Sequence, residues 1–232
     1  MSRRSVPTAL AVFCFVALFC AGCQNLQIGD YETPAYYHPA NISYDSLVLP
    51  PSVKRVALLP LTTGGSDASL QDGVDALTPI VDAELKKTGR FEVLGISPAQ
   101  LRQLTGQASW RAEDILPMDF FQRLQRDTGC DAIMFCQVTR YRAFPPLAIG
   151  WKFCLAAQGS GEKAVTRNLW SADEVVDASN PKIAHAARTY YSQHLRGEQT
   201  MPDATTILRA PSQFAQFSVS AIFSTLPDRP GN

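Results

Sequence analysis

The chain has 232 residues, 46% hydrophobic and 18% charged, with 21 basic side chains against 21 acidic ones. A formal charge of zero gives no reason to expect a nucleic-acid binder, which needs an excess of Lys and Arg to meet phosphates. Fourteen Gly and sixteen Pro are too few for a fibrous or low-complexity protein, and the apolar share is too high for a disordered one.

Arg3 and Arg4 open the chain, and an almost unbroken apolar run extends from Ala9 to Ala21. That run falls short of the roughly 20 residues a spanning helix needs and suits the core of a cleavable signal. It ends Phe19-Cys20-Ala21-Gly22-Cys23, two small residues directly before a cysteine. This resembles the lipobox of bacterial lipoproteins, although Cys20 stands where Leu is commonest. The resemblance implies cleavage between Gly22 and Cys23, a diacylglyceryl group on the Cys23 sulfur, and a mature chain of 210 residues. The alternative is an ordinary secretory signal that leaves Cys23 free. Gln24 comes after the cysteine rather than Asp, which implies sorting to the periplasmic face of an outer membrane. The mature chain keeps 19 basic and 21 acidic residues, too near balance to steer anionic partners.

Residues 23–52 carry Tyr31, Pro34, Tyr36, Tyr37, Pro39, Tyr44, Pro50 and Pro51 without a sustained period, and read as a tether at most partly ordered against the domain. Val53–Leu61 is a continuous apolar run, the mark of a strand buried on both faces. After a Thr62–Asp67 turn, Leu70, Val74, Leu77, Val81 and Leu85 recur at helical spacing. Lys86, Lys87 and Gly89 end that helix, and Pro79 inside it should kink it or break its bonding. Arg90–Leu94 is a second strand. Ser97-Pro98 caps a short helix through Leu101 and Leu104. Residues 105–114 read as a surface loop, and Phe120, Phe121 and Leu124 mark a further helix that Gly129 stops. Strands are expected over Asp131–Tyr141, Trp151–Ala157 and Asn168–Val176, with Phe144-Pro145-Pro146 and Gly159-Ser160-Gly161 as turns. Asn180-Pro181 opens a helix to about His194. A last helix carries Phe214, Phe217, Ile222 and Leu226, and Pro227–Asn232 reads as a loose tail. The order β-α-β-α-α-β-β-β-α-α, with about five strands, predicts an α/β fold: one domain over 53–226 with helices packed on a mixed sheet.

VKRVALLPL, then ELKKTGRFEVL, then TGCDAIMFCQVTRY, resembles the α/β domain shared by curli-secretion-type lipoproteins, peptidoglycan-synthase activator lipoproteins and the amino-terminal domain of TolB. It covers about residues 53–177 and implies an envelope lipoprotein presenting an interaction domain. Two departures narrow it. No pair of roughly ten-residue alternating segments is inserted to build a barrel, which argues against a pore. The tether is also much shorter than that of the synthase activators.

Candidate chemistry is sparse. Gly64-Gly65-Ser66 could cradle an anion but lacks the G-K-[ST] of a P-loop, so a turn and cap is the plainer reading. Ser160 lacks the surroundings of a nucleophile elbow. Asp173 and Glu174 are adjacent and should face opposite ways on a strand. Asp72, Asp75, Asp82 and Glu84 read as the wet side of the first helix. Arg188, Tyr190, Tyr191, His194 and Arg196 could contact a glycan or a protein, or form the wet face of an amphipathic helix. Asn41-Ile42-Ser43 matches a glycosylation sequon, which usually means nothing in a bacterium. His38, His185 and His194 lack ligand spacing, so no metal is expected. No cofactor motif is present. Cys130, Cys136 and Cys154 remain in the mature chain. A Cys136–Cys154 bridge between consecutive strands is conceivable, and the alternative is that all three are small buried hydrophobes. The expected function is that of a non-enzymatic, outer-membrane-anchored periplasmic lipoprotein. It would take a protein partner in envelope assembly or secretion, or else regulate a peptidoglycan synthase; a hydrolase would need a buried polar cluster.

Overall fold

In a computed structural model, which describes residues 37–63, 68–159, 166–195 and 203–230, one sheet runs through the molecule. Its strands are β1 (Ile42–Tyr44), β2 (Arg55–Leu58), β3 (Thr62–Thr63), β4 (Glu92–Gly95), β5 (Ala132–Arg142), β6 (Ala148–Gln158) and β7 (Thr166–Asp177). They lie in the order β1-β7-β6-β5-β2-β4, with β3 paired to β5. The pairs β2–β4 and β2–β5 are parallel, while β5–β6, β6–β7 and β1–β7 are antiparallel. The helices are α1 (Ala68–Lys87), α2 (Pro98–Thr105), α3 (Phe120–Thr128), α4 (Pro181–Tyr190) and α5 (Pro211–Phe223). A π turn continues α4 over Tyr191–Leu195, and a 3-10 turn covers Ala204–Leu208. The expected α/β architecture with a mixed sheet is what forms. The two strands beyond the expected five, β1 and β3, are three and two residues long and carry no period of their own.

Parallel strands need crossovers, and these put helices on both faces. Alternation along β2 and β5 sorts their side chains accordingly. Val56, Leu58, Met134, Cys136 and Val138 enter a large inner core with α1, α4 and α5. Ala57, Leu59, Ile133 and Phe135 enter a smaller outer core with α2 and α3. The caps are as expected. Ser97 Oγ accepts from Gln100 N at 3.1 Å, and Asn180 Oδ1 accepts from Lys182 N at 3.0 Å.

The Gly129-Cys130-Asp131 motif has a structural role at each position. Gly129 closes α3 with φ 68, a conformation side chains other than glycine's rarely take. Cys130 is buried in the outer core, and Asp131 Oδ2 accepts from Lys54 N and Arg55 N, both at 2.9 Å, fixing the entry to β2. Gly150 answers a different need. The β5–β6 register shifts between Val138 and Arg140, and a Cβ at Gly150 would sit 2.9 Å from Arg140 N.

Three expectations need correction. Residues 37–49 of the expected tether are part of the domain. β1 pairs with β7, Leu49 is buried, and the Tyr37 hydroxyl donates to Glu174 Oε1 at 2.5 Å. The tail is held as far as Asp228. Its N–H donates to Leu47 O at 3.0 Å, its carbonyl accepts from Leu49 N at 2.8 Å, and Arg90 Nε donates to Pro227 O at 3.0 Å. Both segments look loose in sequence because they have no period; long-range backbone pairing holds them instead. Within the 105–114 loop, Trp110 is buried against Phe120 and donates Nε1–H to Thr105 Oγ1 at 2.8 Å. The loop thus roofs part of the outer core.

Candidate functional site

The parallel strands β2 and β4 end side by side, and the chain leaves them for opposite layers. After β2 it passes through β3 to α1 on the inner face, and after β4 it enters α2 on the outer face. Open α/β sheets leave a crevice at such a point, outside the carboxyl ends of the strands. Here the crevice encloses about 1090 Å³. Its floor is Leu61 and Gly95–Ile96. One wall is the side of α1 from Gln71 to Lys86, and the other is Ser97–Pro98 with Gln107–Arg111 and Asp114.

Most charges on these walls are already paired. Arg111 Nη2 reaches Asp114 Oδ1 at 2.7 Å, and Lys86 Nζ reaches Asp82 Oδ2 at 2.7 Å. The hydrogen bond from Arg111 holds the Asp114 carboxyl below the usual carboxylate range. Asp75 is different: it is exposed on the wall and, among the described residues, has neither an ion pair nor a side-chain hydrogen bond. One turn on, Pro79 lies inside the helix and has no N–H to give the Asp75 carbonyl.

Two further hollows flank the domain. A cavity of about 300 Å³ lies between the outer face of β6–β7 and the loop before α3. Lys152 Nζ bonds Glu113 there and lies 3.8 Å from Asp173 Oδ2. Burial acts to raise the Glu113 carboxyl, but Lys152, a backbone hydrogen bond and Arg111 together more than offset this and hold it below its ordinary value. The other hollow, about 460 Å³, lies between the end of α1 and α5. Its wall includes Glu84, which corrects the expectation of a wet side chain. Glu84 is 5% exposed and accepts from Gln216 Nε2 at 3.0 Å and from Lys87 Nζ. α5, more than 120 residues later, covers it.

The residues singled out in the sequence do not converge. Gly22, Cys23, Gly64-Gly65-Ser66, Ser160 and Arg196 lie outside the described residues. Asp173 and Glu174 do face opposite ways: Asp173 approaches Lys152 on the outer face, and Glu174 accepts from Tyr37 on the inner. Tyr190 is half-buried and stacks on His194 with ring centroids 4.6 Å apart, while Tyr191 is buried. Burial raises the Tyr190 hydroxyl above its ordinary value. No group of His, Cys, Asp and Glu able to hold a metal occurs among the described residues.

The β5–β6 register excludes the Cys136–Cys154 bridge. Cys136 lies opposite Phe153 in the inner core, and Cys154 lies opposite Phe135 on the outer face. Directly opposed residues share a face, so these two thiols point to opposite sides of the sheet. Cys130, Cys136 and Cys154 are all free. Burial, with Glu113 nearby, pushes the Cys154 thiol up to about 11. Sequence reasoning missed the crevice itself, whose only local signals were the turn after β2 and the capped start of α2.

No family model matches the chain, and no curated protein matches it by sequence. Among solved structures it is similar to a PelC dodecamer from Paraburkholderia phytofirmans, at 13% identity and a TM-score of 0.42, covering 81% of this chain and 96% of that one. It is also similar to the lipoprotein GNA1162 from Neisseria meningitidis, at 16% identity and TM-score 0.37, covering 61% and 99%. The carboxy-terminal domain of LpoB from Salmonella enterica overlaps at 14% identity and TM-score 0.33, covering 57% and 87%. Overlaps this low do not carry function across.

Proposed function

We propose that the chain is an outer-membrane-anchored periplasmic lipoprotein that acts by binding another envelope protein rather than by catalysis. The observation that carries this reading is the amino-terminal order of Arg3-Arg4, a short apolar run and Ala21-Gly22-Cys23. No helix among the described residues is long and apolar enough to cross a membrane, so a lipid on Cys23 supplies the attachment in this reading. Labelling cells with radioactive palmitate tests it. The unmodified sequence should take up label, and Cys23→Ser should lose it together with membrane fractionation. A chain that never labels overturns the anchor.

A second reading, regulation of a peptidoglycan synthase, follows from the resemblance of the α/β domain, which the synthase activators share with the other two groups. Order from Tyr37 onward counts against it, because it leaves fewer residues between Cys23 and the domain. Cys23 to Tyr37 is 14 residue steps, at most about 46–50 Å when fully stretched. Recovery of a synthase from solubilised envelopes, with a gain in its activity, would support this second reading.

A further inference from the structure

The crevice has length, the open end of an edge strand at Gly95 and one unanswered charge. The α1 wall from Gln71 to Lys86 extends about 22 Å at the helical rise. That matches roughly six or seven residues of extended chain. β4 is the last strand of the sheet. Its Glu92 N–H donates inward to Lys54 O at 2.8 Å, and Ile96 N–H donates to Leu58 O at 3.0 Å. The alternate residues, Val93 and Gly95, therefore turn their N–H and C=O groups to the free edge. A Cβ at Gly95 would meet nothing within 4 Å, so this backbone stands open to the crevice. On the facing wall stand the unpaired Asp75 carboxylate and its carbonyl, which Pro79 leaves without a helical donor.

We infer that the crevice receives an extended peptide segment of the partner protein, which meets the free edge of β4 at Gly95 and carries a Lys or Arg that pairs with Asp75. This deepens the reading above and rests on it. Strand addition supplies the backbone bonds, and the charge supplies choice among segments. The ion pairs Lys86–Asp82 and Arg111–Asp114 leave Asp75 as the side with charge to spare. Of the protein's own sequence, residues 23–36 hold Asp30 and Glu32 and no Lys or Arg. Like charge disfavours them as the occupant.

The test uses the full-length lipidated protein in detergent and a library of random peptides about ten residues long, enough to span the wall. Bound peptides should be enriched in Lys or Arg flanked by apolar residues. Asp75→Lys should weaken binding roughly tenfold or more and Asp75→Asn severalfold, with circular dichroism unchanged, and added salt should act in the same direction. A photo-crosslinker at Thr78 should capture the peptide, and one at Arg126 on α3 should not. Failure to bind, binding without a preference for cations, indifference to Asp75→Lys, or a crosslink from Thr78 to residues 23–36 would each overturn the inference. Palmitate on Cys23 is read from the same preparation: with label present, such a failure sinks the peptide site alone, and with label absent it is the lipoprotein reading that falls.

Discussion

The two faces of the sheet share the same central strands and are finished differently. On the inner face, α1, α4 and α5 close over Trp151, Phe153 and Trp170, and the core runs from β2 across to β7. On the outer face, α2, α3 and the Trp110 loop cover the end formed by β4, β2 and β5. Beyond it, Lys152, Ser171 and Asp173 stay partly or fully exposed. Buried apolar area drives the first arrangement, and the second leaves polar sheet surface and the mouth of the crevice open. The inner face is thus closed from edge to edge, and the open hollows described above lie where the outer layer stops.

Truncating one fully buried aromatic on each face tests that division. Trp151 stacks on Phe153 with centroids 5.5 Å apart and donates Nε1–H to Ser218 Oγ at 2.9 Å. Trp151→Ala should cost about 4 kcal/mol in urea unfolding, since it opens a cavity and strips a partner from buried Ser218. Phe120→Ala in the outer core should cost about 3 kcal/mol. Hydrogen exchange should show its loss of protection confined to α2, α3 and the Trp110 loop. Equal, global loss from both variants would break the comparison.

Smaller effects sharpen it. Glu84→Ala leaves Gln216 without its acceptor at the α1–α5 contact and should cost about 1–2 kcal/mol by the same unfolding measurement. Tyr37→Phe should cost about 1 kcal/mol and speed proteolysis within 37–45, because burial and then the bond to Glu174 hold the Tyr37 hydroxyl protonated, and that bond anchors the segment. A pH-dependent effect concerns Cys154 on the outer face. Its thiol is raised by burial to about 11, whereas an unfolded thiol ionises near 8.5 or so. Between those values the unfolded chain has lost a proton that the folded chain keeps, so stability falls as pH rises through this window. Cys154→Ala should flatten that alkaline fall in a series of urea titrations at increasing pH.

Much of the fold is legible in the residues themselves. The Leu70–Leu85 stripe, the Ser97 and Asn180 caps, the Gly129 stop and the alternation of β5 and β6 are local interactions within a few residues of chain. Each is set by residues near one another in the chain and needs no distant contact to be read. The opposite orientations of Asp173 and Glu174 come from the strand period alone. The candidate site is hardly legible. Asp75 and Glu84 share one helix, carry the same charge and look alike in sequence, yet Gln216 on α5 covers one while the other faces an open crevice. Cys136 and Cys154 sit plausibly for a bridge until the register puts them on opposite faces.

What the amino-acid order determined by itself, then, is the set of helices and long strands and the caps that bound them. Tertiary structure decided the rest: β1 on β7, Asp228 against Leu47 and Leu49, the burial of Trp110, and the crevice between the layers. The reason is range. Periods and caps are read within about a turn of helix or a pair of strand residues, whereas edges, roofs and clefts arise only where segments far apart in the chain meet.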